Sequence, residues 1–291
     1  MGEIIQSKDK TLKALKMKGF GEQRKSKKER DKETNHSKEQ IINQAFKFHQ
    51  QGNISEAEKC YQYCINQGFK DHRVFSNYAG ILQGIGKLQE AEISLCKAIE
   101  LKSDFAEAHS NLGNILKDLG KLEDAELSYR KTIKLEPEHA IANHNLSHIL
   151  LKRKRFKEGW EKYEWRWKTE GKSSKLKLKT NKPLWNPSKR GCLLLWAEQG
   201  LGDQLLFLTL IQDIQDNVDR LILQVDRRLI PILQRSIDQE IVLISREEHI
   251  DEKRYDYHLS IGSLAKYIRK TEESFKASKK ISLLIDKKKT K

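Results

Sequence analysis

Four asparagines recur at one interval: Asn43, Asn77, Asn111 and Asn145 stand 34 residues apart. A side-chain amide offers donors and an acceptor, so a row of them can hold an extended peptide backbone with little regard for its side chains. A second group with chemical potential is Glu198-Gln199-Gly200-Leu201-Gly202-Asp203, where two glycines and a carboxylate follow an apolar run. Glycines between a strand and a helix permit a tight turn and close approach of a ligand beside a positive helix end. Asp203 there can also serve simply to cap its helix. Gly200-x-Gly202 falls short of a dinucleotide fingerprint, because Leu205 stands where the third glycine should be, although Asp226 ends the next strand where a ribose-binding acid would sit. His144 and His148 share a helical face, but no third ligand is indicated, and no metal site is expected. Four cysteines (Cys60, Cys64, Cys96, Cys192) show neither disulfide density nor paired metal-ligand spacing.

Charge is unevenly placed along the 291 residues. The chain has 56 Lys/Arg against 41 Asp/Glu, a formal charge of +15. Residues 152–190 hold 15 Lys/Arg and 4 Glu, and residues 1–37 hold 11 Lys/Arg and 6 Asp/Glu. Those two segments account for the whole excess, so the remaining body is near neutral. All five tryptophans (Trp160, Trp165, Trp167, Trp185, Trp196) lie in or beside the first segment. Interleaved tryptophan and lysine can grip single-stranded nucleic acid. Alternatively Trp160, Tyr163 and Trp167, at i, i+3 and i+7, form one helical face that packs a helix onto the next domain while the lysines stay solvated. The second reading is the preferred one, and no specific nucleic acid is expected as a partner. The longest apolar runs, Cys192–Ala197 and Leu205–Ile211, are far shorter than the roughly 20 residues of a membrane span. With no secretory signal readable at the start, a soluble cytoplasmic protein is expected.

The elements that must position these groups follow from self-comparison. Gly52, Gly86 and Gly120 are 34 apart, and the next step falls on Lys154. The same register gives small residues Ala45, Ala79, Gly113 and Ser147, then Ala57, Ala91, Ala125 and Gly159, with Tyr61, Leu95, Tyr129 and Tyr163 a helical turn later. Small residues at a contact, glycine at a turn and bulky residues nearby describe a helical hairpin that cannot bury its apolar face alone and must stack on its neighbours. This pattern resembles the tetratricopeptide repeat, with units 38–71, 72–105, 106–139 and an atypical 140–173 that lacks the turn glycine and ends the stack. Residues 1–37 read as a disordered basic tail. The resemblance places the asparagines on the concave groove, in a row similar to the asparagine ladder of O-GlcNAc transferase, so protein or peptide clients are the expected partners. Inheritance of Asn by repeat duplication, or bonds between neighbouring helices, is the alternative.

Beyond a basic linker at 174–190, overlapping a flexible stretch at 171–182, the period changes. Strands are expected at 192–197, 220–225, 240–244 and 256–261, with helices at 203–216 and 227–236, which implies a parallel, Rossmann-like sheet. Gly159–Trp167, Leu184-Trp185 and Leu193–Leu208 resemble bacterial proteins that join tetratricopeptide repeats to a heptosyltransferase-like GT-B glycosyltransferase. The resemblance implies an α solenoid followed by an α/β half-domain over 191–291. It also implies that Gly200 and Gly202 line an acceptor cleft, with Asp203 as general base. No donor half follows within the sequence. The chain is therefore expected to need no cofactor alone, to meet a nucleotide-sugar donor only through a complementing chain, and otherwise to act as an interaction scaffold.

Overall fold

The turn residues set the repeat. The computed structural model describes residues 27–169, 176–276 and 284, with side chains from residue 38. Two compact units divide at Lys70. In the first, α1 (Lys27–Gln50) and α2 (Ile54–Asn66) pack as a hairpin around Ala45, Ala57 and Tyr61. Helix α1 thus begins within the segment expected as tail, and residues 1–26 lie outside the described residues. Asn43 is exposed on α1.

In the second unit three hairpins follow: α3 (His72–Gly84) with α4 (Leu88–Leu101), α5 (Ala106–Asp118) with α6 (Leu122–Leu135), and α7 (Ala140–Lys152) with α8 (Phe156–Tyr163). The first helix of each ends in the same way. Lys87 N–H reaches Leu82 O at 2.9 Å and Gly86 N–H reaches Gln83 O at 3.0 Å, the paired bonds of a left-handed helix stop. Lys121 with Gly120 repeats this arrangement, and so does Arg155 with Lys154. Glycine at φ +80° and +78° adopts it freely, whereas Lys154 is forced to φ +60°. The fourth hairpin therefore keeps the turn without its glycine. Close approach within hairpins explains the small residues: a Cβ on Gly113 would lie 2.6 Å from the Tyr129 ring, and one on Gly159 2.8 Å from Leu151.

After α8 the chain tightens into a 3-10 turn at Glu164–Trp167. The tightening separates the aromatics expected on one face. Trp160 and Tyr163 pack against Phe207, while Trp167 turns to Trp196 at 5.5 Å. Four parallel strands then form a sheet in the order β3-β2-β1-β4, from β1 (Cys192–Trp196), β2 (Arg220–Val225), β3 (Val242–Ser245) and β4 (Tyr257–Ser260). Both faces are covered, which is why β1 reads as an unbroken apolar run. Leu193, Leu195, Leu221 and Leu223 face α9 (Leu201–Leu208) and α10 (Ile230–Ser236). Leu194, Trp196, Ile222 and Ile244 face Ile250 and Tyr255. Helix α9 is shorter than the 203–216 stretch expected, giving way to 3-10 turns at Ile211–Asp213 and Gln215–Asn217.

The segment expected as linker belongs to this sheet. Trp185 is 1% exposed in the α9-side core; its backbone N–H donates to His258 O, the His258 backbone N–H donates to Pro183 O, and the indole N–H donates to Lys189 O. The burial of one indole outweighs the mobility that the surrounding lysines suggested. Residues 170–175 lie outside the described residues.

Candidate functional site

The three in-register asparagines of the second unit sit on its first helices. Helices α3, α5 and α7 lie side by side, joined by Gln83 Nε2 to Asp118 Oδ2 at 3.2 Å and by Asn145 Nδ2 to Asn114 Oδ1 at 2.8 Å. Tyr129 OH donates to the same Asn114 oxygen at 2.7 Å. Asn77 turns its amide onto Arg73 O of its own helix at 2.9 Å, and Asn111 is half-buried. Of the three amides, those of Asn77 and Asn145 are already engaged within the repeats. Asn114, which the register did not single out, is the residue that links neighbouring repeats there.

The strip ends in an aromatic cluster. His144 and His148 lie 4.7 Å apart between ring centres, and Tyr163 is 5.7 and 6.0 Å from them. Burial, reinforced by the charges of His148 and Arg166, depresses the His144 imidazole to about 4. Tyr163 OH accepts a hydrogen bond from Gln199 Nε2 at 2.9 Å, in the loop after β1. The phenol is pushed up to about 12, chiefly by burial, with carboxylates of Glu198 and Asp203 adding to the rise. Through this bond the end of the last hairpin contacts the β1–α9 loop.

That loop holds the expected acceptor-cleft residues. Gly200 precedes α9 in ordinary extended backbone, φ −64° and ψ 168°, so no tight turn demands it. Around Gly202 no atom lies within 4 Å of a Cβ position, and Gly200 meets only Asp203 Oδ2 at 3.6 Å. The glycines leave open space rather than bending the chain. Asp203 is exposed in the first turn of α9, and the N-cap of that helix makes no side-chain hydrogen bond. Gln204, fully buried, fixes the loop: its Nε2 donates to Gln199 O and its Oε1 accepts from Asp226 N–H, both at 2.9 Å. Asp226 is not free for a ribose. Arg228 donates to both its oxygens at 2.9 Å and, with Arg246 nearby, holds the carboxyl well below the usual range.

Sequence reasoning missed Arg166, the most buried charged residue among the described residues. β1 lies between β2 and β4, so the crevice at the C-terminal ends of β1 and β4 is the switch point where open α/β sheets hold ligands. Here Arg166 fills it. Its Nη2 donates to Glu198 Oε1 at 3.0 Å, Ser260 Oγ at 2.9 Å and Ser263 Oγ at 2.7 Å, and its Nη1 to Glu164 Oε1 at 2.6 Å. The guanidinium also lies over the Tyr163 and Trp167 rings at 4.5 and 4.4 Å. Burial raises the Glu198 carboxyl against the pull of Arg166. A Cβ on Gly262 would meet Glu198 Oε1 at 2.6 Å, so glycine makes room for the pair.

The basic run at 152–155 is largely neutralised. Arg153 pairs with Glu123 at 2.9 Å, Arg155 with Glu126 and Glu158 at 2.5 and 2.7 Å, and Lys154 with Glu272 at 2.9 Å. Among the described residues no cluster of three His, Cys, Asp or Glu could hold a metal ion. No described helix is long and apolar enough to cross a membrane.

Comparison with known proteins assigns the helical part. Residues 106–139 and 72–105 each match the tetratricopeptide repeat family, and both matches lie within the repeats, short of the sheet. The chain carries tetratricopeptide repeats, a protein–protein interaction architecture. It is similar to the first such domain of Spaghetti (RPAP3), solved with the HSP90 peptide SRMEEVD, at 25% identity over 40% of this chain and 92% of that one, TM-score 0.38. The second domain of human RPAP3, solved with the HSP70 peptide SGPTIEEVD, shares 28% over 38% and 91%, TM-score 0.36. MamA shares 19% over 51% and 81%, TM-score 0.42. No curated protein matches.

Proposed function

We propose that the repeats hold an extended protein segment along the face of their first helices, and that the segment runs on to the β1–α9 loop. The observation that supports this is Tyr163, which touches both histidines at the end of the repeat face and bonds Gln199 in the loop. Asn77, Asn111 and Asn145 supply amides along that face, and Asn43 holds the same register position in the first repeat. Asp203 is then the proton acceptor for a hydroxyl on the segment, as the glycosyltransferase resemblance implies, with Gly200 and Gly202 leaving it room. Sugar transfer also requires a nucleotide-sugar half, supplied by a further α/β unit or another chain. The switch-point crevice filled by Arg166 favours a second reading, an interaction scaffold without catalysis.

Fluorescence anisotropy with labelled, serine- and threonine-rich unstructured peptides tests the binding claim. The combined change Asn77→Ala, Asn111→Ala and Asn145→Ala should weaken binding at least about tenfold, since each amide bond contributes about 0.5–1.5 kcal/mol. Circular dichroism should be unchanged. Peptide binding indifferent to all three changes sinks the reading.

A further inference from the structure

The C-terminal ends of the strands carry a second opening, on the sheet face away from α9. A cavity of about 370 Å³ lies there, lined among others by Trp196, Ala197, Gln224, His249 and Tyr255. Among the described residues this face is covered by short segments rather than a long helix: Trp167, the stretch around Leu178, and the segment from Ile250 to Tyr255 with its 3-10 turn at Glu252–Arg254. A hollow remains between them.

Its rim is cationic. Lys177 and Lys179 border the cavity, are exposed, and make no ion pair among the described residues. Arg246 stands opposite, 37% exposed, with only long contacts to Asp226 at 3.5 Å and Glu247 at 3.7 Å. The two carboxylates on the rim are turned to backbone: Glu248 accepts from Ser245 N–H at 3.2 Å and Glu252 from Asn181 N–H at 3.1 Å. Two lysines with free donors, together with the partly engaged Arg246, suit a dianion better than a single carboxylate. The volume admits one small molecule, within the range of pockets that hold such ligands, and not a strand of nucleic acid.

We propose that this cleft binds a small phosphate monoester, its phosphate between Lys177, Lys179 and Arg246 and its organic part against the edges of Trp196 and Tyr255. The site is separate from the crevice that Arg166 fills and from the repeat face. Calorimetric titration of the full chain with AMP, adenosine and inorganic phosphate tests it. AMP should bind, and adenosine and inorganic phosphate should each bind at least about tenfold more weakly. The double change Lys177→Gln and Lys179→Gln should weaken AMP binding about tenfold or more, while Lys154→Gln with Lys157→Gln should leave it unchanged. Absence of AMP binding up to about 10 mM would overturn the proposal. So would AMP binding that survives the first double change or falls equally with the second, and inorganic phosphate binding as well as AMP would overturn the monoester.

Discussion

Arg166 and Glu198 are 2% and 3% exposed, and each relies on the other to offset the loss of water. Removing one partner of such a pair strands the other charge, a loss of about 3–5 kcal/mol, whereas replacing both is far milder. Arg166→Met should therefore lower the melting temperature sharply, with Glu198→Gln restoring much of it. The Glu198 carboxyl is already raised by burial, and losing Arg166 raises it further. A raised acid contributes stability below its unfolded value that is lost as pH climbs through the folded one. The melting gap between parent and Arg166→Met should accordingly narrow as pH falls from about 8 to about 5. His144 behaves oppositely. Its depressed imidazole, at about 4 against 6.5, favours the folded state above 6.5, and that contribution is lost as pH falls from there toward 4. His144→Phe should flatten this part of the stability profile. None of this was legible beforehand. Three of the partners of Arg166, Glu198, Ser260 and Ser263, lie 32 to 97 residues away, and spacing within a Trp-rich run says nothing about such pairing.

Helix termini and helix contacts were the readable scale. Glycines at 34-residue intervals located the turns, and small residues located the contacts, because each reflects local sterics that a sequence displays directly. The exception is instructive. Lys154 departs from the turn glycine of the repeat, yet the helix stop at Lys154 and Arg155 keeps the same hydrogen bonds as those at Gly86 and Gly120. Lys154→Gly should relieve the left-handed strain and stabilise the chain by about 0.5–1 kcal/mol, since the exposed Lys154–Glu272 pair contributes little. Thermal melts of the two proteins decide this. Gly113→Ala should cost about 1–3 kcal/mol by pressing a methyl group into Tyr129. In the sheet, strand positions followed from apolar runs. The crossing of β4 to the far side of β1 did not, because strand order depends on long-range pairing that no local period records.

At the scale of the second unit, the repeats and the sheet are joined by packed aromatics and one arginine, so a segment lying on the repeat face would meet the β1–α9 loop. In the proposed reading the asparagine register marks that face and the Gly-rich loop its far end. What joins them, Tyr163 with His144, His148 and Gln199, appeared in the sequence only as parts of unrelated patterns. Hydrogen–deuterium exchange of the full chain, with and without a bound client peptide, tests this continuity most directly. Binding should slow exchange in α3, α5 and α7 and in residues 198–204 together, leaving α4 and α6 unaffected. Slowed exchange confined to α4 and α6, or to the repeats with the 198–204 loop unchanged, would contradict it.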